Sequence, residues 1–279
     1  MIVDFHTHIF SPTIQEKRET FLQQDCCFRL LYSHPKAKLA TATDIIASMD
    51  EHHIDISVIV NLGWTSHELC VMTNDYILES VARYPKRLTG FCAIQPLAGD
   101  NALKEIERCA AAGARGIGEI RPDMQGFSFS DTAIMQPVAQ TLIERNMMLL
   151  THASEPVGHQ YAGKGSITPD TIYPFITKFP ELRIICAHWG GGLPFYALMP
   201  EVCAALKNVY FDTAATPFLY KPAIFKHIAD IIGSDHILFG SDYPLMPPKR
   251  VLDQLPASGL SKEDIEKICG ANAQKLLSF

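Results

Sequence analysis

MIVDFHTH (residues 1–8) is the stretch on which the fold turns. It is a short apolar run that ends in two histidines one residue apart. A run of this length, apolar on both parities, reads as a strand covered on both faces. Seven more follow: ISVIVN (56–61), LTGFCAI (88–94), ARGIGEI (114–120), MMLLTH (147–152), RIICAH (183–188), NVYFDT (208–213) and HILFGSD (236–242). Between them lie segments of helical periodicity: 41–53 with Thr43 as its N-cap, 74–84, 102–112 ended by Gly113, and 132–146, where Pro137 argues for a kink or a later start. Ser261 with Asp264 has the form of a capping box opening a last helix. Strands alternating with helices imply parallel pairing, because parallel neighbours need a crossover. Eight such units predict an α/β protein of the (β/α)₈ barrel class, as one domain over residues 1–279. Residues 10–40 carry no clear period and are expected to be an irregular, lid-like insertion after the first strand.

Composition narrows the class. Hydrophobic residues make up 47% of the 279, enough for a large core. The net charge is −6 and no basic run occurs, so no nucleic-acid partner is expected. No apolar stretch approaches the length of a membrane span, so no membrane partner is expected either. The eight cysteines form no C-x-x-C pair, and several sit inside apolar runs as small buried hydrophobes. A reducing cytoplasm is the simplest compartment for them. The sequence leaves a homo-oligomer open.

The chemistry sits at the run ends. Side chains two apart on a strand share a face, so His6 and His8 project together, with Asp4 expected on the same face deeper in the barrel. Glu119, His152, His188, Asp212 and Asp242 close later runs, 24 to 36 residues apart, which is one strand-plus-helix unit each. In a closed barrel the C-terminal strand ends share one rim, where active sites lie. His6, His8, Glu119, His152, His188 and Asp242 are therefore expected around one point, as ligands of a divalent metal, with Asp212 in an outer position. Imidazole and carboxylate donors suit Zn²⁺. Arg121, His159 and Tyr161 are candidate substrate contacts on the same rim. Gly190, Gly191 and Gly192 lack the Lys-Ser/Thr of a phosphate loop and are expected to bring backbone close to the site.

DFHTH, THASEPVGH, CAHWGGGLPF, FGSDYP and GANAQKLL, in this order, resemble the amidohydrolase superfamily. The branch they look most like holds amidohydrolase-related hydrolases and metal-dependent decarboxylases of aromatic acids. The resemblance implies that His6, His8, His152, His188 and Asp242 build the metal site. Many members carry a carbamylated lysine at the end of strand 4. This chain has Glu119 there, which resembles the TatD-like members and tilts the expectation from one ion to two.

The main expectation is a hydrolase in which a metal-activated water cleaves an amide, lactone or ester of a small, anionic molecule. Asp242 would move the proton and His188 would stabilise the developing charge. The alternative is non-oxidative decarboxylation of an aromatic or unsaturated acid at the same metal.

Overall fold

A computed structural model describes residues 1–278. Eight parallel strands run in sequence order round one sheet: β1 (Val3–Thr7), β2 (Ile56–Ile59), β3 (Leu88–Cys92), β4 (Gly116–Ile120), β5 (Met148–Thr151), β6 (Ile184–Cys186), β7 (Val209–Asp212) and β8 (Ile237–Leu238). The last meets the first through Phe5 N donating to Phe239 O (2.7 Å) and His8 N donating to Tyr243 O (2.7 Å), and Thr7 bridges Tyr243 in parallel. The architecture is the (β/α)₈ barrel that the eight runs imply.

Val3 and Phe5 of β1, Val58 of β2, Phe91 of β3, Leu150 of β5 and Leu238 of β8 form one apolar cluster with Leu276 and Leu277 of the last helix, Asn272–Leu277. This cluster fills the barrel, so its apolar interior owes nothing to the polar residues of the rim. Two further clusters lie between the sheet and the outer helices.

The segments after β1 and β2 depart from expectation. Residues 10–40 are not irregular. They form α1 (Pro12–Glu16), α2 (Arg18–Gln24) and α3 (Cys26–Tyr32). Ser11 caps α1 with Pro12 at its first position, and Asp25 caps α3 by accepting from Phe28 N at 2.8 Å. Helices of five to seven residues are too short to show a period, so only the caps betray them. The insertion has its own apolar core: Phe10, Phe21 and Phe28 pack with Trp64 from the loop after β2. Asp25 ties it down by also accepting from Thr65 N and Thr65 Oγ1, both at 2.7 Å.

The next helix, α4 (Ala42–His52), is capped by Thr41 rather than Thr43, in a box with Asp44. α5 (His67–Arg83) starts at a Ser66 cap, seven residues before the expected Asn74. α6 (Asp100–Ala111) ends before Gly113, which has φ +91. α7 (Pro122–Gln125) is a single turn, and α8 (Thr132–Glu144) begins at Thr132 with Pro137 inside it. No helix among the described residues is long and apolar enough to cross a membrane.

Candidate metal centre

Two strand irregularities aim the site residues. Pairing of β1 with β2 shifts register between Asp4 and Thr7, and pairing of β4 with β5 shifts between Ile117 and Ile120. Strict alternation would put Asp4 with His6 toward the barrel middle. Instead Val3 and Phe5 occupy the middle, and Asp4 accepts from Ser241 Oγ (2.6 Å) and Ser241 N (2.9 Å). Burial pushes the Asp4 carboxyl up to about 7 against the pull of those bonds. Asp4 thus pins the segment after β8 to β1, and Asp242 N donates to His6 O at 2.9 Å.

In β4 the irregularity depends on Gly118, at φ +147. A Cβ there would lie 2.4 Å from Leu150 O, so only glycine lets β4 lie this close to β5. The Glu119 N–H donates to Asn61 O (2.6 Å) at the end of β2, and its carboxylate stands in the middle of the rim.

Glu119 divides the donors into two sets. On one side are His6, His8 and Asp242. His6 Nε2 lies 3.2 Å from His8 Nε2, Glu119 Oε2 lies 3.7 and 3.8 Å from them, and Asp242 Oδ1 lies 3.9 and 3.4 Å from them. Each ring is fixed through its other nitrogen. His6 Nδ1–H donates to Asp212 Oδ2 (2.8 Å), and His8 Nδ1–H donates to Val60 O (3.0 Å). A carbonyl and an ionised carboxylate only accept, so in the neutral rings both Nε2 lone pairs face each other. Two lone pairs at 3.2 Å repel unless something positive lies between them. Two nitrogens at about 2.1 Å from one ion, at angles between square and tetrahedral, stand about 3.0–3.4 Å apart. The donor set therefore fits a divalent cation.

On the other side are His152 and His188. His152 Nδ1–H donates to Glu119 Oε1 at 2.8 Å, and Ser154 Oγ, which accepts from Gly165 N, lies 3.0 Å from His152 Nε2. Both nitrogens of this ring are engaged. His188 Nδ1–H donates to Ala214 O (3.2 Å), and its Nε2 lies 3.5 Å from Glu119 Oε1. Asp212 serves both sides, because its Oδ1 accepts from His188 N at 2.9 Å. From His188 (φ +56) through Gly192 (φ +92) the backbone is left-handed throughout. A Cβ on Gly191 would lie 2.2 Å from Ser154 O, so this glycine brings the turn after β6 against the end of β5.

The charges are interdependent. Burial alone would depress His6, but Asp212 and Glu119 outweigh it and hold its pKa well above the usual value. Burial would also depress His188, yet Glu119 and Asp242 raise it to about 9. Burial and Arg121 lower His152 to about 4 despite Glu119. Burial would raise the two carboxylates. His152, His188 and His6 hold Glu119 well below its usual value, and His8, His6 and His188 bring Asp242 to about 2. Without an ion the positive charge is carried by protons on His6 and His188, and a cation would replace some of them.

All six expected ligands thus converge, and a cavity of about 910 Å³ opens over them. Arg121, His159 and Tyr161 also line it. The Arg121 side chain is 1% exposed, its Nη2 reaches Asp123 Oδ2 (3.3 Å) and Gly163 O (3.2 Å), and its Nε has no partner. Tyr161 donates its hydroxyl to Glu155 Oε2 (3.0 Å), and its ring centroid lies 5.5 Å from that of His159. Tyr32, from α3, lines the cavity too and has no counterpart in the sequence reading. It stacks on Phe28 at 5.1 Å, and Arg18 holds its backbone carbonyl. Burial, then the charges of Asp242, Cys27 and Glu119, raise its phenol well above the usual value. The Phe28–Tyr32 spacing of four residues is its one sequence signal, and it speaks only once α3 is recognised as a helix.

A parallel barrel with a cation-fitting donor set on its C-terminal rim defines a metal-dependent barrel enzyme. The amidohydrolase family model matches residues 3–279, and the chain belongs to that family of enzymes. It is 29% identical over 196 residues to 6-methylsalicylic acid decarboxylase of Penicillium expansum, covering 58% of this chain and 60% of that protein. It is 23% identical over 284 residues to gamma-resorcylate decarboxylase of a Polaromonas species, covering 83% and 85%. Its fold matches that of 5-carboxyvanillate decarboxylase from Novosphingobium aromaticivorans, complexed with manganese and 4-hydroxy-3-methoxy-5-nitrobenzoic acid, with a TM-score of 0.82, 18% identity and coverage of 100% and 96%. These similarities correct the main expectation. These three proteins are decarboxylases, so the hydrolase reading, with water attacking an amide, lactone or ester, falls. Both expectations rest on the same metal site.

Proposed function

We propose that this chain is a divalent-cation-dependent, non-oxidative decarboxylase of a hydroxylated aromatic acid. The observation that carries the reading is the approach of His6 Nε2 to His8 Nε2 on the floor of a cavity that also holds the buried Arg121. Such a floor is built for anionic oxygens, and the relatives matched along the chain act on aryl acids, as their names state.

His6, His8, Glu119 and Asp242 would hold the cation, which when bound supplies a Lewis-acid anchor for the substrate's anionic oxygens. Arg121, buried at the cavity wall, is the cation that pairs with the substrate's carboxylate. Tyr161 has its hydroxyl committed to Glu155, so it and His159 serve as walls for a ring. Loss of CO₂ breaks the bond between ring and carboxyl carbon and leaves the electron pair on the ring carbon. That carbon then takes a proton. His188 Nε2 is the ring edge left free by the bond from Nδ1 to Ala214, and it delivers the proton. Glu119 and then Asp242 favour that proton on His188.

Two imidazoles and two carboxylates suit Zn²⁺ and Mn²⁺ alike. Manganese in the 5-carboxyvanillate enzyme puts Mn²⁺ ahead of the Zn²⁺ that the sequence suggested. Because His152 is engaged at both nitrogens, we set the stoichiometry at one ion per chain rather than two. The test is CO₂ release from hydroxybenzoic acids by Mn²⁺-loaded protein, with metal analysis on the same sample. Release of CO₂ with one ion per chain is expected. Absence of CO₂ across a panel of such acids sinks the activity, and two ions per chain restores the binuclear centre.

A further inference from the structure

The cavity is larger than the proposed chemistry needs. At about 910 Å³ it lies near the top of the range of about 300–1,000 Å³ that accommodates drug-sized ligands. One ring whose carboxylate reaches the floor fills only the inner part. The outer part has two unlike sides. Lys36, Lys38, Glu51 and His52 stand on the side of the insertion and α4. Phe218, Leu219, Leu245 and Pro247 line it from the loops after β7 and β8.

That second side is apolar and open. Phe218 is 46% exposed and Leu245 60% exposed. Large apolar side chains left in water beside a cavity mark a surface that something covers. Phe218 is also held in place. The Arg250 guanidinium sits 4.8 Å from its ring centroid, and Trp189 Nε1–H donates to Thr216 Oγ1 (2.8 Å) at the start of its helical turn, Thr216–Leu219. The wall is therefore built and continuous with the reaction cavity, which points to part of the substrate as its occupant.

We propose that the acid this site takes carries an alkyl substituent, seated against Phe218, Leu245 and Pro247 while the carboxylate meets the floor. The inference rests on the aryl-acid reading above and adds the substituent class. Burying a methylene is worth about 0.8 kcal/mol, or about fourfold in affinity, so a chain gains about twofold per carbon when half-covered and about fourfold when fully covered.

The test measures binding and CO₂ release separately. Salicylic acids bearing hydrogen, methyl, propyl or pentyl at ring positions away from the carboxylate are titrated into Mn²⁺-loaded protein by calorimetry. Affinity is expected to rise about twofold to fourfold per carbon. In Phe218→Ser and Leu245→Ser the ratio of pentyl to unsubstituted affinity is expected to fall toward one. A length-independent series in the unaltered protein overturns the proposal. So does a length dependence that the two substitutions leave intact. If a second copy covers this wall, sedimentation shows Leu245→Ser shifting an oligomer to monomer while the series stays flat, which also overturns it. A chain-length gain in binding with no CO₂ from any acid keeps the alkyl site and sinks the decarboxylase reading alone.

Discussion

The two sides of Glu119 carry the same residue types and differ in what holds them. Toward β1, His6 and His8 are pinned through Nδ1 by Asp212 and by Val60 O, and both turn Nε2 to the same point. Toward β5 and β6, His152 is bonded at both nitrogens, and His188 alone keeps a free edge. The neighbour of the far nitrogen thus assigns the task. The first side gathers lone pairs and fits a cation. The second, in the proposed reaction, handles protons.

Breaking the first side has the largest expected effect. His6→Ala removes a lone pair and uncovers Asp212, so bound metal falls below a tenth of a molar equivalent by elemental analysis and CO₂ release falls to background. Full metal occupancy in this variant would remove His6 from the donor set. The unaltered protein should also bind the ion more tightly as pH rises from 6 to 8. His6 has a raised pKa and holds a proton at neutral pH without the ion, so binding must expel that proton. Calorimetry in buffers of different ionisation enthalpy reads the release.

The second side is tested by His188→Gln, expected to keep its metal and lose about 10²–10⁴-fold in turnover, the usual worth of a placed proton donor. In the metal-loaded protein turnover should fall on the alkaline side at a pH below about 9. Without the ion Glu119 and Asp242 raise His188 to about 9, so it is protonated and competent below that value, and a cation on those two carboxylates weakens their hold on the proton. Persistence of the alkaline fall in His188→Gln would assign it to another group.

The smallest effect sharpens the comparison. Asp212 contacts both sides, through His6 Nδ1 and His188 N. Asp212→Asn should cost about 10–100-fold in metal affinity, the range for outer partners of ligating histidines. Turnover at saturating metal should change less. Equal loss in both would mean that Asp212 acts through His188 as much as through His6.

The barrel was legible because each strand is a short run apolar on both parities, and the site because its acids and histidines close those runs. Asp4 was misplaced because a register shift in β1 breaks the alternation on which its assignment rested. Tyr32 was invisible because α3 is seven residues long and its phenol reaches the site only through the packing of Phe10, Phe28 and Trp64. The reaction itself was misread because the donor residues identify a metal site and not the bond that is broken there.

By itself, then, the sequence determined that eight strand ends would meet and which charged side chains they would bring, since periodicity and spacing are properties of the chain. Only the tertiary structure decided which imidazole nitrogen faces inward, where Glu119 stands between the two sides, and which apolar residues stay open beside the mouth. Those outcomes depend on hydrogen-bond partners and contacts that lie hundreds of residues away, as Asp212 does from His6.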